Sequence, residues 1–259
     1  KYDEAIVCYD RAIQIDEKYV SAWDNKGTAL YYLNKYDEAI VCYDGAIQID
    51  KNNDWTWNNK GWALAHTGKN EEAIECCIES LKIKETANAW DSKGYALSNL
   101  KKYEEAIECY DRAIAIDEDN YYLLQKGKCI KKIGNRDNSV SKWKEAIEIC
   151  NLILEQDELL DDAWFLKGNC SWNLKKYDES EKNYFEALKI DPDDEKYWYE
   201  IGEVMCMKKS YEEGIMFYNK SLQINSNKQH VWVSKGKALS KLNKYDEAIV
   251  CFDRAIQID

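Results

Sequence analysis

The feature that most constrains this chain is repetition. The string KYDEAIVCYDRAIQID at Lys1–Asp16 returns with one change at Lys244–Asp259, as KYDEAIVCFDRAIQID. Close copies begin at Lys35 and Lys102, and more divergent ones at Asn70, Lys176 and Ser210. A second string alternates with the first, a Trp followed four residues later by Gly. Its copies are Trp23/Gly27, Trp57/Gly61, Trp90/Gly94, Trp164/Gly168, Trp198/Gly202 and Trp232/Gly236, with Leu123/Gly127 a weakened one. Successive Gly spacings are 34, 33, 33, 41, 34 and 34 residues. A fixed period of this size means that one small unit, unable to bury its apolar face alone, is stacked on copies of itself. The 259 residues therefore do not divide into one or two ordinary compact domains, which their number alone would suggest.

Both strings have helical period. Trp23, Gly27, Leu30 and Tyr31 recur at steps of three and four, as do Tyr36, Ala39, Ile40, Tyr43, Ala46 and Ile47. Gly27, Ala39 and Ala46 let two helix backbones approach, and large rings fill the space beside them. The short polar stretch at Asn34-Lys35 leaves room only for a tight antiparallel helix pair. Seven such pairs after one unpaired leading helix make fifteen helices.

The order Trp, then Gly, then Tyr, Ala, an aromatic and Ala over about 34 residues resembles the tetratricopeptide repeat family. The resemblance covers essentially the whole chain. The Trp-x-x-Lys-Gly spacing is similar to prokaryotic, especially archaeal, members. Lys stands before Gly in six of the seven copies, as Lys26, Lys60, Lys93, Lys126, Lys167 and Lys235, where its stem covers apolar surface and its head reaches water. The helix-ending Pro survives only as Pro192. The resemblance implies an all-α fold: a right-handed superhelical solenoid of antiparallel helix pairs, here one array over residues 1–259. It also implies a concave face lined by the first helix of each pair, where peptides lie.

The spacing of 41 marks one odd repeat. Seven extra residues are about two helical turns, so the next helix restarts near its usual phase. The run CNLILEQDELLDD after Ile149 places an extended, protruding helix at 150–160, with Leu152, Ile153 and Leu159 facing the array or a partner. The same repeat has Leu123 for Trp and carries Arg136, Ser139 and Trp143.

First-helix residues that cannot face the core are the candidates for the binding face. Tyr32, Trp55, Trp62, Tyr95, Phe165, Trp172 and Tyr199 supply rings for anchor pockets. Asn25 and Asn59, two residues before their Gly, supply amides that bind a peptide main chain irrespective of its sequence. Asn58, His66, Lys128 and Asn169 complete the set, and a wider one adds Asp24, Thr28, Asn88, Asp91, Asn99, Tyr121, Gln125, Lys132, Asn173, Glu203, Met207, His230, Lys237 and Lys241. The carboxylate clamp of co-chaperone members needs Lys and Asn on the first helices. Asp24 and Thr28, Asn58 and Trp62, or Asp91 and Tyr95 stand at those places, and no Arg is expected in any first helix.

Composition narrows the function further. Forty-eight acids against thirty-six bases give a net charge of −12, with no basic block or basic-aromatic stripe to attract a phosphate backbone. Nucleic acid is not the expected partner. No apolar run reaches the ~20 residues that span a bilayer. The ten Cys include Cys8, Cys42, Cys76, Cys109 and Cys251 at one phase of the repeat and no C-x-x-C pair. They read as reduced packing residues in a cytoplasmic protein, with neither a zinc nor a redox site. His66 and His230 are the only histidines and lie about five repeats apart, and no phosphate loop is present. Asp191–Glu195 lacks the Gly and terminal Glu of a calcium loop. Asn169-Cys-Ser and Asn219-Lys-Ser fall mid-helix. No catalytic residue, cofactor or metal is expected.

The leading reading is thus a non-catalytic scaffold that binds a protein or peptide. The chain starts and stops at one phase of the repeat, with no polar capping helix at either end. That supports a second reading, a segment of a longer array that associates end to end. A third is the regulatory arm of an enzyme encoded outside these residues.

Overall fold

The computed structural model describes residues 1–258, and among them are fifteen α-helices and no strands. They are α1 Tyr2–Ile15, α2 Val20–Tyr32, α3 Tyr36–Ile49, α4 Asp54–His66, α5 Asn70–Ile83, α6 Ala87–Asn99, α7 Tyr103–Ile116 and α8 Asn120–Asp137. There follow α9 Val140–Gln156, α10 Asp161–Asn173, α11 Tyr177–Ile190, α12 Glu195–Met207, α13 Tyr211–Ile224, α14 Gln229–Lys241 and α15 Tyr245–Ile258. Helices α2/α3, α4/α5, α6/α7, α10/α11, α12/α13 and α14/α15 pack as antiparallel pairs. Contacts divide the chain into two compact units, Lys1–Cys129 and the part from Ile130 onward, each a stack of such pairs.

Three repeated devices explain why these residues form these pairs. The first is the turn inside a pair. Asn34 adopts a left-handed φ of 59° and the Lys35 N–H reaches back to the Leu30 carbonyl at 3.0 Å, so the helix end is closed by its own backbone. Lys101, Lys175, Lys209 and Asn243 do the same at φ of 60° to 67°, and glycine takes this place only at Gly68.

The second is the turn between pairs. Asp50 accepts the N–H of Asn52 at 2.9 Å, and the Trp57 indole donates to the Lys51 carbonyl at 3.0 Å. Trp23, Trp164, Trp198 and Trp232 strap the carbonyls of Glu17, Glu158, Pro192 and Ser226 in the same way. Before Trp90 the turn is one residue shorter, and its indole donates to the Glu85 carboxylate at 3.0 Å instead. The repeating Trp is thus committed to structure, and so is the Lys beside it. Lys93, Lys167 and Lys235 hold their ammonium groups about 5 Å above the Trp90, Trp164 and Trp232 rings, while Lys26 and Lys60 reach Asp10 and Asp44 at 2.6 Å.

The third is the interior of a pair. A Cβ on Gly27 would lie 2.7 Å from the Tyr43 ring, and one on Gly168 2.5 Å from Tyr184. Gly202 meets Tyr218 and Gly236 meets Phe252 alike. Tyr43, Tyr110, Tyr184 and Tyr218 are fully buried. In the α4/α5 pair Cys77 replaces the ring, and its sulfur lies against Gly61. Eight of the ten cysteines are buried and all ten are free thiols.

The long repeat differs from its expectation. Helix α8 has 18 residues and α9 has 17, where α2 and α3 have 13 and 14. The extra residues lie at the shared end of the two helices, as one further turn of each. They do not lie at 150–160, where Asp157–Leu160 is the usual four-residue turn. Trp143 seals the extension: its ring fills the space a Cβ on Gly134 would take, and its indole donates to Asn135 at 2.9 Å. With a turn added to each helix Trp143 is buried against Gly134, whereas one protruding helix would expose it. Ile153 is fully buried, while Leu152 and Leu159 are exposed. The added turn also puts Arg136 in a first helix, contrary to the expectation of none, where it pairs with Asp137 at 2.8 Å.

Candidate functional site

In the first unit, helices α2, α4 and α6 line a concave cavity of about 310 Å³. Eight residues singled out in the sequence meet there: Thr28 and Tyr32 on α2, Trp55, Asn58, Asn59 and Trp62 on α4, and Asn88 and Asp91 on α6. Helix α6 also contributes Ser92. Tyr31 and Tyr43 were not legible as cavity residues, while Ser92 stands two residues before Gly94, the place Asn25 and Asn59 take before their own Gly. The helical period gives Tyr31 and Tyr43 to the core, and both do pack there while their ring edges reach the cavity. Among the described residues no Lys or Arg lines the cavity.

Behind Tyr31 and Trp62 lies a network of rings. The Trp62 indole donates to the Tyr31 hydroxyl at 2.6 Å, and that oxygen lies 3.0 Å from His66 Nε2. His66 stacks between Tyr36 and Tyr95 at 5.3 and 5.4 Å, and Tyr95 meets Trp62 at 4.8 Å. His66 and Tyr95 are therefore packing residues that brace α4 against its neighbours, and neither lines the cavity. Burial lowers the His66 pKa and raises that of Tyr31. Trp55 is 53% exposed, and Tyr32, 59% exposed, stacks on Tyr2 at 5.4 Å.

The floor is polar and incompletely paired. One repeat earlier, buried Asp24 is satisfied: Thr56 donates to it at 2.7 Å and Asn53 at 3.1 Å. The residues equivalent to these donors one repeat later are Ala89 and Thr86, neither of which has an amide or hydroxyl placed for the task; Thr86 caps α6 instead. Asn58 Oδ1, the counterpart of the Asp24 carboxylate, is consequently buried with no hydrogen-bond partner. Asn59 Nδ2 and Asp91 Oδ1 are in the same condition. Burial pushes the Asp91 carboxyl up to about 7, and it raises Asp24 as well.

The other sequence candidates lie elsewhere. Asn25 is exposed and does not line the cavity, although Asn59 at the same place on α4 does. Lys128 is half-buried on α8. In the second unit Asn169 is engaged, donating to the Phe165 carbonyl at 2.9 Å and accepting from Tyr184 at 3.4 Å. Trp172 packs edge-on to Tyr177 at 5.3 Å. Phe165 and Tyr199 border a smaller hollow of about 130 Å³, where Lys228 pairs with Glu195 at 2.7 Å and burial pushes Glu200 up to about 7. Among the described residues no group of three or more His, Cys, Asp or Glu could hold a metal ion, and no helix is long and apolar enough to cross a membrane.

Family models for the tetratricopeptide repeat match residues 87–120, 161–194 and 231–259 in one version and 56–86 in another. A model for the TPR repeat matches 1–31 and 27–68. No curated protein matches the sequence. Among solved structures, a chain in the crystal structure of the APC/C hetero-tetramer Cut9-Hcn1 is similar at a TM-score of 0.71 and 18% identity, over 92% of this chain. This chain spans only 46% of that one. YrrB, described as a TPR protein with an unusual peptide-binding site, is similar at 0.53 and 20% identity, over 71% of this chain and 92% of its own. MamA is similar at 0.55 and 20% identity, over 64% and 93%.

Proposed function

This chain belongs to the tetratricopeptide repeat family, and we propose that it is a non-catalytic scaffold which seats a peptide segment of another protein in the α2–α4–α6 cavity. The observation that carries this reading is the pairing of exposed and half-buried rings with unpartnered amides in one hollow. Buried polar atoms without partners are rare in folded proteins and cost free energy, which a ligand that bonds them recovers. Trp55 and Trp62 offer apolar contact, Asn59 Nδ2 offers a donor for a peptide carbonyl, and Asn58 Oδ1 offers an acceptor for a ligand N–H. The fold is of a kind built for such contacts, and the peptide-binding site named for YrrB supports the class of ligand.

Affinity capture with the full chain tests this, comparing wild type with Trp55→Ala/Asn59→Ala. These two side chains line the cavity without bracing the ring network, so circular dichroism and Tm should be near wild type. A partner held by wild type and lost by the variant, and mapped to a short linear segment, is the expected result. Equal capture by both would sink the assignment to this cavity.

A further inference from the structure

The proposed peptide site contains a buried carboxyl with no cation beside it, and its chemistry specifies more than a peptide backbone. We propose that the α4–α6 wall of the cavity recognises a cationic side chain of the bound peptide, the ammonium of lysine or the guanidinium of arginine. The inference rests on the peptide-binding reading above and adds the identity of one anchor.

Asp91 is only 8% exposed, yet its Oδ1 has no hydrogen-bond partner. No Lys or Arg among the described residues lines the cavity to balance it. Among the described residues, Cys77, Tyr110, Tyr121 and Tyr122 feel its charge, and burial raises the pKa of each, so these four are neutral near pH 7. A carboxylate removed from water without a counter-charge is costly, and its raised pKa records that cost. A second acceptor, Asn58 Oδ1, is 9% exposed at residue level and equally unpartnered in the same cavity.

Two unfilled acceptors call for a group that only donates. Ammonium carries three donors and guanidinium five, with no acceptor on either. A hydroxyl or amide can bond one acceptor but leaves the carboxylate charge unpaired. Trp55, Trp62, Tyr31 and Tyr32 add ring faces of the kind that attract a cation. The one orphan donor, Asn59 Nδ2, is left for a main-chain carbonyl of the same peptide. At long range the net charge of −12 draws basic segments toward the chain.

The test uses four pools of N-acetylated, C-amidated peptides, random except for a central Lys, Arg, norleucine or Glu. Each pool is passed over the immobilised full chain, and retained peptides are counted by mass spectrometry. Wild type should enrich the Lys and Arg pools at least about ten-fold over norleucine, a difference of ~1.4 kcal/mol in binding. Asp91→Asn keeps the shape and removes the charge, so it should erase that preference while still retaining peptides. Equal retention of Lys, Arg and norleucine pools by wild type, with loss of all in Trp55→Ala/Asn59→Ala, overturns the cationic anchor and leaves the peptide site standing. Retention of no pool overturns both. An undiminished Lys and Arg preference in folded Asp91→Asn also overturns the assignment, because the charge would then be read elsewhere.

Discussion

At the scale of single residues, the pairs Gly27/Tyr43, Gly168/Tyr184 and Gly202/Tyr218 set how closely the two helices of a repeat approach. A methyl added at Gly168 would sit 2.5 Å from a fully buried ring that cannot swing away. Gly168→Ala should therefore cost about 1–3 kcal/mol, the range for overpacking, measured by urea unfolding. Gly94→Ala should cost less, because there the nearest ring atom is 3.0 Å away.

Buried carboxyls set the pH dependence. Asp91 and Glu200 both have folded pKa values of about 7, against ordinary values of 3.8 and 4.5. Between these limits the folded chain holds protons that the unfolded chain has released, so stability falls as pH rises from about 5 to about 7.5 and then levels. Tm measured across that interval should decline, and Asp91→Asn should flatten part of the slope. Glu195, held low by its bond to Lys228, acts with the opposite sign, and its contribution is lost only as pH falls below about 4.5. Cysteine chemistry follows burial. Cys8 is exposed and should react with a thiol reagent within minutes in native conditions, while Cys42, Cys77, Cys109 and Cys150 should wait for unfolding.

At the scale of elements, what limits each helix pair is its two turns. The left-handed residue that closes the first helix is Lys at 101, 175 and 209, where a Cβ makes that conformation unfavourable. Glycine there gains in the folded state and loses in the unfolded one, so Lys175→Gly should stabilise by no more than about 1 kcal/mol. The other turn is strapped by the Trp indole. Trp57→Phe removes one bond to the Lys51 carbonyl while keeping most of the packing, at a cost of about 1 kcal/mol in chemical denaturation. The long repeat keeps the same turn chemistry, with Asn138 left-handed at φ 50° and the Ser139 N–H reaching the Gly134 carbonyl at 2.9 Å. Seven residues were countable from the Gly spacing. Their division between two helices depended on Trp143 finding Gly134, a contact that spacing alone does not reveal.

At the scale of the whole molecule, each pair rests chiefly on its sequence neighbours, as contacts in a solenoid must. Damage should then stay local. In the first unit, Gly27→Val should speed amide exchange in α2 and α3 while α6 and α7 keep their protection. The same locality explains what could be read in advance. The number of helices, their order, the tight turns and the small-against-large contacts are each written within about 34 residues, and every copy restates them. Trp and Lys positions were equally legible as part of the repeat, though only their bonds show that they strap turns and pair with helix faces.

The cavity was legible in part. Tyr32, Trp55, Asn58, Asn59 and Trp62 follow from the helical period, because residues beside the Gly face cannot enter the core. The commitment of His66 and Tyr95 to packing does not follow, since it depends on rings from three different helices meeting at about 5 Å. Nor does the satisfaction of Asp24 beside the abandonment of Asn58 and Asp91. That contrast turns on whether the next repeat offers Thr56 and Asn53 or Ala89 and Thr86, and on which of their atoms come within reach. The sequence by itself determined the repeat, the helices and the family, because local period and turn chemistry decide them. Only the tertiary structure decided which polar atoms are left without partners, because hydrogen-bond satisfaction is settled across repeats, by distances of a few tenths of an ångström.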